Sequence, residues 1–174
     1  AELEQSAQLA AAAAATREQE LGIIARADIT LVVSPVEQEL LAVEAPGADV
    51  RVLSNIHEPR PDPRPWAERA GLIFVGGFRH PPNVDAINWF VAEAWPAVRA
   101  RLPQVELSVV GSNMPAAIRD LDVEGVRVLG YVNDIDPLLD AARSSIAPLR
   151  YGAGVKGKVN QAMAFGLPVV ATPM

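Results

Sequence analysis

Between residues 71 and 174 short, almost uninterrupted apolar runs alternate with stretches of helical spacing. The runs are GLIFVGG (71–77), VELSVVG (105–111), GVRVLGYV (125–132), SSIAPLR (144–150) and LPVVAT (167–172). A strand with one face in water alternates apolar and polar residues. A strand apolar throughout belongs to a parallel sheet covered on both sides. The intervening segments supply that cover. PNVDAINWFVAEAWPAVRARL (82–102) carries Ile87, Phe90, Val91, Ala94 and Val98 at helical spacing. A short helix is expected around Pro115–Leu121, another over DIDPLLDAAR, and a third after the glycine-rich turn at 151–154. The fold class is α/β, a doubly wound parallel sheet.

Such sheets bind ligands beyond the carboxyl ends of their strands. The residues to read are those after Val75, Val110, Leu129, Ala147 and Thr172. After the first run comes Gly76-Gly77-Phe78-Arg79-His80, where small residues admit a ligand to the backbone and Arg79 suits bidentate contact with a phosphate. A strand-ending glycine pair and a solvated arginine explain the same residues. After the third run, Gly130-Tyr131-Val132-Asn133-Asp134 offers backbone groups to a base edge. Asn133 or Asp134 reads equally well as a helix cap.

The fourth run leads into YGAGVKGKVNQAMAFGLPVV (151–170). Gly152 and Gly154 permit positive φ. A helix starting near Val155 then directs its free N–H groups and positive dipole end at one point. Lys158 and Gln161, three residues apart, share a face. Val155, Val159, Ala162, Met163 and Gly166 form a different stripe, expected to pack on the sheet. Lys156 is about 200° round the helix from Lys158, so both cannot easily serve one ligand; Lys158 is the better phosphate candidate because it shares the face with Gln161. The stretch has no G-x-x-x-x-G-K-[ST] pattern. Its G-A-G-V-K-G follows the fourth strand, and no acidic residue ends the next one, so it is not a dinucleotide fingerprint.

Upstream, AELEQSAQLAAAAAATREQE is rich in strong helix formers and lacks the basic start of a signal peptide; a helix to about Arg26 is expected. DITLVVS (28–34) and DVRVLS (49–54) read as strands flanking the helix PVEQELLAVEA, with Ser34 as N-cap and Pro35 at the first helical position. NIHEPRPDPRPWAERA (55–70), with four prolines, reads as a linker between a first domain ending at 54 and a second spanning 71–174. The formal charge of −6 excludes a general nucleic-acid surface. The absence of cysteine excludes disulfides and Cys-ligated metals. No apolar run approaches the ~20 residues that span a bilayer.

LIFVGGFRHPPNVDAINWF, VELSVVGS, GVRVLGYVND and IAPLRYGAGVKGKVNQAMAFGLPVVAT, in this order and spacing, resemble the carboxyl-terminal domain of GT-B glycosyltransferases of family 4, the glycosyl transferases group 1 proteins. ADITLVVSPVEQELL and VRVLSNIHE resemble the end of the amino-terminal, acceptor-side domain of that family. The resemblance implies the Rossmann-like half of a GT-B fold, incomplete at both ends. It also implies transfer of a sugar from a nucleotide diphosphate sugar, UDP- or GDP-linked or similar, with retention of configuration.

Arg79 and Lys158 would then neutralise the diphosphate, with Gly77, Gly154 and Val155 beside it. Tyr131 and Val132 would meet the base, Gln161 the ribose, and Gly152 and Ala153 the donor sugar. His80 and Asn83 stand where many members carry a lysine partner to the phosphate arginine. The family's glutamate pair falls on Ala153 and Gln161, which puts sugar identity in question and leaves no residue assigned as catalytic. Neither a metal nor another cofactor is implied, because the two cations take the metal's part.

The expected partners are the nucleotide sugar and, through a domain outside this chain, a glycan or lipid-linked acceptor of polysaccharide synthesis. Nucleic acid is not expected as a partner. The implied location is cytoplasmic, without a membrane span but compatible with peripheral attachment to the inner membrane face. Two other readings share the architecture. One is a nucleotide-sugar epimerase, for which this stretch offers only His80 as an acid–base group. The other is a non-catalytic nucleotide-binding module.

Overall fold

A computed structural model of the chain describes residues 2–152 and 154–173, with side chains described from Ala7 onward. The chain divides into two compact units, Ala1–Asn55 and Ile56–Met174.

In the first unit the alanine-rich start forms helix α1 (Glu2–Ile24). Strands β1 (Thr30–Val32) and β2 (Val50–Val52) pair in parallel, joined through helix α2 (Pro35–Glu44). The start of α2 follows from its sequence. The Ser34 hydroxyl accepts the Glu37 N–H, the Glu37 carboxylate accepts the Ser34 N–H, and Pro35 occupies a position needing no donor.

Among its described residues the second unit holds five parallel strands: β3 (Leu72–Val75), β4 (Leu107–Val110), β5 (Val126–Gly130), β6 (Ser144–Ala147) and β7 (Val169–Ala171). Their order across the sheet is β5-β4-β3-β6-β7. Helix α3 (Pro81–Trp89) follows β3, and a π-helical stretch (Phe90–Ala94) carries it into α4 (Trp95–Arg101). Helix α5 (Ala116–Arg119) follows β4, α6 (Asp136–Ala141) follows β5, and α7 (Gly157–Ala164) follows β6.

Neighbouring strand residues serve opposite faces, which explains the unbroken apolar runs. Phe74 and Val109 pack with Ile87, Phe90, Trp95 and Ile118 under α3, α4 and α5. Ile73 and Val110, one position away, pack with Leu139, Ala162 and Leu167 under α6 and α7. Burying each such side chain contributes about 1.5–3 kcal/mol, so both cores are needed to hold strands this short.

Two expectations change in detail. The helix expected over 82–102 widens at its centre because Pro96 has no N–H and its ring excludes the carbonyl four residues earlier; the Trp95 N–H reaches back to Phe90 instead. The proline-rich segment 55–70 is irregular apart from one 3-10 turn (Trp66–Glu68), yet it is anchored on α6 and α7. The Arg60 N–H donates to the Ala164 carbonyl at 2.8 Å. The buried Arg69 donates to the Arg64 carbonyl at 2.8 Å and the Phe165 carbonyl at 2.9 Å. Asp140 accepts the Arg64 N–H at 3.0 Å and lies within 4 Å of the guanidinium groups of Arg60, Arg64 and Arg69. That hydrogen bond and those charges hold its carboxyl below the ordinary range.

Candidate functional site

β3 and β6 lie side by side, but the helix after β3 covers one face of the sheet and the helix after β6 covers the other. The two connections diverge and leave a crevice at the carboxyl ends of the strands, the place where doubly wound sheets bind ligands.

Each wall of that crevice has a local cause. After β3 the chain turns at Gly76-Gly77, and the His80 N–H closes the turn on the Gly77 carbonyl at 3.3 Å. Asn83, in the first turn of α3 and buried, donates from Nδ2 to the same carbonyl at 2.7 Å. Its Oδ1 accepts from the Lys158 ammonium at 2.5 Å. Lys158 is the second residue of α7, and its Nζ sits 4.3 Å from the centre of the buried Phe74 ring. Among the described residues no carboxylate pairs with it. Burial, and secondarily the like charge of Lys156, lower its pKa from 10.5 to about 8.

The turn before α7 is built on Gly152 at φ 126° and Gly154 at φ 76°, left-handed conformations that side chains resist. The Lys156 ammonium donates to the Gly154 carbonyl at 2.9 Å, and Lys156 is the N-cap residue. The helix thus starts at Gly157, two residues beyond the expected Val155, because the left-handed glycines keep the chain out of helical geometry longer. Among the described residues no side chain caps it; the Val159 N–H donates to the Lys156 carbonyl at 2.8 Å, which leaves the N–H groups of Gly157 and Lys158 without a helical acceptor. On the other side of the turn, Arg150 makes a two-point pair with Asp85 of α3 and lies 5.9 Å from the Trp89 ring centre.

A cleft of about 290 Å³ opens beside this cluster. Gly76 and Gly77 line it from β3, Gly111 and Ser112 from β4, and Tyr131, Val132 and Asn133 from β5. A register shift between Val109 and Val110 lets Gly130 pair with Val110, so the chain after β5 bends at the cleft rim. Tyr131 is 71% exposed.

The structure therefore gathers Gly77, Tyr131 and Val132 around one cleft, and joins Gly77 through Asn83 to Lys158. Arg79 and His80 are exposed on the turn after Gly77, and no ion pair holds Arg79 among the described residues. Gln161 is half-buried on α7 and Val155 is exposed before it. Ala153 lies outside the described residues. Of the stripe expected to pack on the sheet, Ala162 is buried against Leu139 and Leu167 but Met163 is 64% exposed, since adjacent helical residues point about 100° apart.

Neither Asn133 nor Asp134 is the N-cap of α6, which is Ile135 without a side-chain cap; Asp134, one residue earlier, accepts the Asp136 N–H at 3.0 Å in a local turn. Two partners were not read from the sequence: Phe74 beneath the lysine, and Asp85 beside Arg150. Asn83 carried a usable signal, since a polar residue on the face of Ala86, Ile87 and Phe90 must find partners when buried.

A second depression of about 290 Å³ lies at the opposite ends of the strands, near Gly71, Glu106 and Arg127. Its charged residues already pair, Arg127 with Glu106 at 3.3 Å. Among the described residues no group of three His, Asp or Glu side chains gathers to hold a metal ion. No described helix is long and apolar enough to cross a membrane.

A family model described as "Glycosyl transferases group 1" matches residues 69–174. Solved structures similar to the chain include TarM, with TM-score 0.65 and 16% identity over 88% of this chain and 31% of that one. Another is the pneumococcal O-GlcNAc transferase GtfA in complex with UDP and GlcNAc, with TM-score 0.63 and 12% identity over 83% of this chain and 30% of that one. A third is the GtfA/B complex, with TM-score 0.60 and 15% identity over 89% of this chain and 32% of that one. At these identities the likeness is one of fold, and the chain spans about a third of each structure's length. No curated protein matches.

Proposed function

The chain belongs to the glycosyl transferases group 1 family, and from that membership we propose that its second unit binds the donor of a glycosyl transfer, a nucleoside diphosphate sugar. The observation that carries this reading is Lys158. A lysine ammonium largely removed from water, beside an uncapped helix terminus and without a carboxylate partner among the described residues, is stabilised by an arriving anion. The likeness in fold to a transferase holding UDP supports the same choice of ligand.

In this reading the diphosphate lies between the Gly77 turn and the start of α7. Lys158 and Arg79 neutralise it, with backbone groups of Gly77, Gly154 and Val155 and with His80 at the edge. These cations stabilise the charge that develops on the leaving diphosphate as the glycosidic bond breaks. Tyr131 and Val132 take the base, Gln161 the ribose, and the turn at Gly152 and Ala153 the sugar. With no acid–base carboxylate assigned, the departing phosphate assists attack on the same face, and configuration is retained. The acceptor, a glycan or lipid-linked sugar, is held outside these residues. The work belongs to polysaccharide synthesis on the cytoplasmic side of a membrane.

Calorimetric titration with uridine, UMP and UDP, and with the guanosine series, tests the reading. The diphosphate of at least one series binds at least tenfold more tightly than its nucleoside. Its affinity falls nearly tenfold between pH 7.5 and 9. The sign follows from the lowered pKa: the ammonium that meets the phosphate is present below about pH 8 and lost above it. Diphosphates binding no better than nucleosides would sink the reading.

A further inference from the structure

We propose that Asn83 is the positioning residue of the anion site, holding the Lys158 ammonium in register with the Gly77 turn so that both walls of the crevice meet one diphosphate. This rests on the diphosphate reading above.

Both ends of the Asn83 amide are committed. Nδ2 donates to the Gly77 carbonyl at 2.7 Å and Oδ1 accepts from Lys158 Nζ at 2.5 Å, joining residues 75 apart in sequence. The amide is buried and packed so closely that a Cβ on Gly76 would sit 3.0 Å from its Cγ and Nδ2. It has little room to turn. With its carbonyl and one amide hydrogen used and the group buried, Asn83 acts on a ligand through the groups it holds.

Chemistry favours an amide at this point. The uncharged Oδ1 steadies the ammonium without neutralising it, which keeps the positive charge available to an anion. A carboxylate there would hold the lysine more firmly and cancel its charge. The other groups acting on Lys158 agree with that design. The Phe74 ring lies beneath it, and Lys156, from its own turn, supplies a like charge.

The test combines a double-mutant cycle with a direct titration of the lysine. UDP or GDP, whichever binds, is titrated at pH 7.5 against wild type, Asn83→Ala, Lys158→Met and the double variant. Asn83→Ala is expected to weaken binding about five- to tenfold alone and less than twofold in the Lys158→Met background. Asn83→Asp, close in shape, weakens binding more than Asn83→Ala. Independently, the Lys158 side chain is titrated by NMR without nucleotide. Its pKa moves down in Asn83→Ala, which removes the acceptor of the charged form, and up in Asn83→Asp.

Equal losses in both backgrounds, or a lysine titration unmoved by either Asn83 variant, would overturn the proposal. If wild type binds no nucleotide, the diphosphate reading fails. The NMR titration still decides whether Asn83 positions Lys158. Asn83→Asp serves both arms should the alanine variant not fold.

Discussion

Lys158→Met weakens binding of the preferred nucleoside diphosphate by about thirtyfold while leaving the protein at least as stable as wild type. The first part follows from losing charge-assisted bonds to phosphate, worth about 1.5–3 kcal/mol for a group in this setting. The second follows from the same burial. At neutral pH the fold keeps an ammonium away from water with one amide and one aromatic face for company. Methionine keeps the packing over Phe74 and removes that cost. The pH dependence carries a further signature. Because the folded-state pKa lies near 8, below its unfolded value of 10.5, the unfolded chain holds more protons between those limits. The contribution of Lys158 to stability therefore rises with pH from about 8 to 10.5. In Lys158→Met that rise disappears. Denaturant unfolding of both proteins at pH 7 and pH 10 reads it, and a variant less stable than wild type at pH 7 would mean that the lysine serves the fold rather than a ligand.

Gly111→Ala is expected to cost on the order of 3 kcal/mol or more, lowering the melting temperature by about 10 °C and abolishing nucleotide binding. A Cβ at this position would stand 1.8 Å from the Gly76 carbonyl oxygen and 2.8 Å from its carbon. Both neighbours are backbone. The approach is also tied from three sides: Gly76 N–H to the Val110 carbonyl at 3.0 Å, Gly111 N–H to the Gly130 carbonyl at 2.8 Å, and Phe78 N–H to the Ser112 carbonyl at 2.9 Å. Relief requires moving the ends of β3 and β4 apart, which opens the cleft floor. Gly154→Ala makes the control. Its φ is 76° but nothing lies within 4 Å of the added carbon, so it costs only the left-handed conformation, about 1 kcal/mol. Equal melting temperatures for the two variants, by calorimetry, would contradict the steric argument.

The strands of the sheet were legible because apolar runs of this length leave few alternatives. At the candidate site, the left-handed turn at Gly154 and the place of Lys158 in the first turn of the next helix were legible, because glycine spacing and helical pattern are local. Asn83 was singled out by its place in a family motif, but its role was not readable. Its two partners come from a turn six residues away and a helix 75 residues away, and only the tertiary fold, which brings the first turns of α3 and α7 together at the ends of β3 and β6, sets those distances. The pairing of Arg150 with Asp85 was hidden for the same reason. The π-helical widening at Pro96 was hidden because helical spacing of Ile87, Phe90, Val91 and Ala94 survives one extra residue per turn. Arg69 shows the opposite case: a charged residue in a proline-rich stretch suggests solvent, yet its hydrogen bonds to Arg64 and Phe165 bury it. Local pattern reports propensity, and tertiary contact decides what a polar side chain does.

The most direct measurement of the central claim is backbone NMR of the protein titrated with UDP and with GDP. Binding in the crevice shifts the amides of Gly76–Arg79, Tyr131–Val132 and Gly154–Lys158, and leaves those of Gly71, Glu106 and Arg127 unmoved. Shifts centred on that second group, at the far ends of the strands, or no shifts at millimolar nucleotide, would contradict a diphosphate site at Lys158.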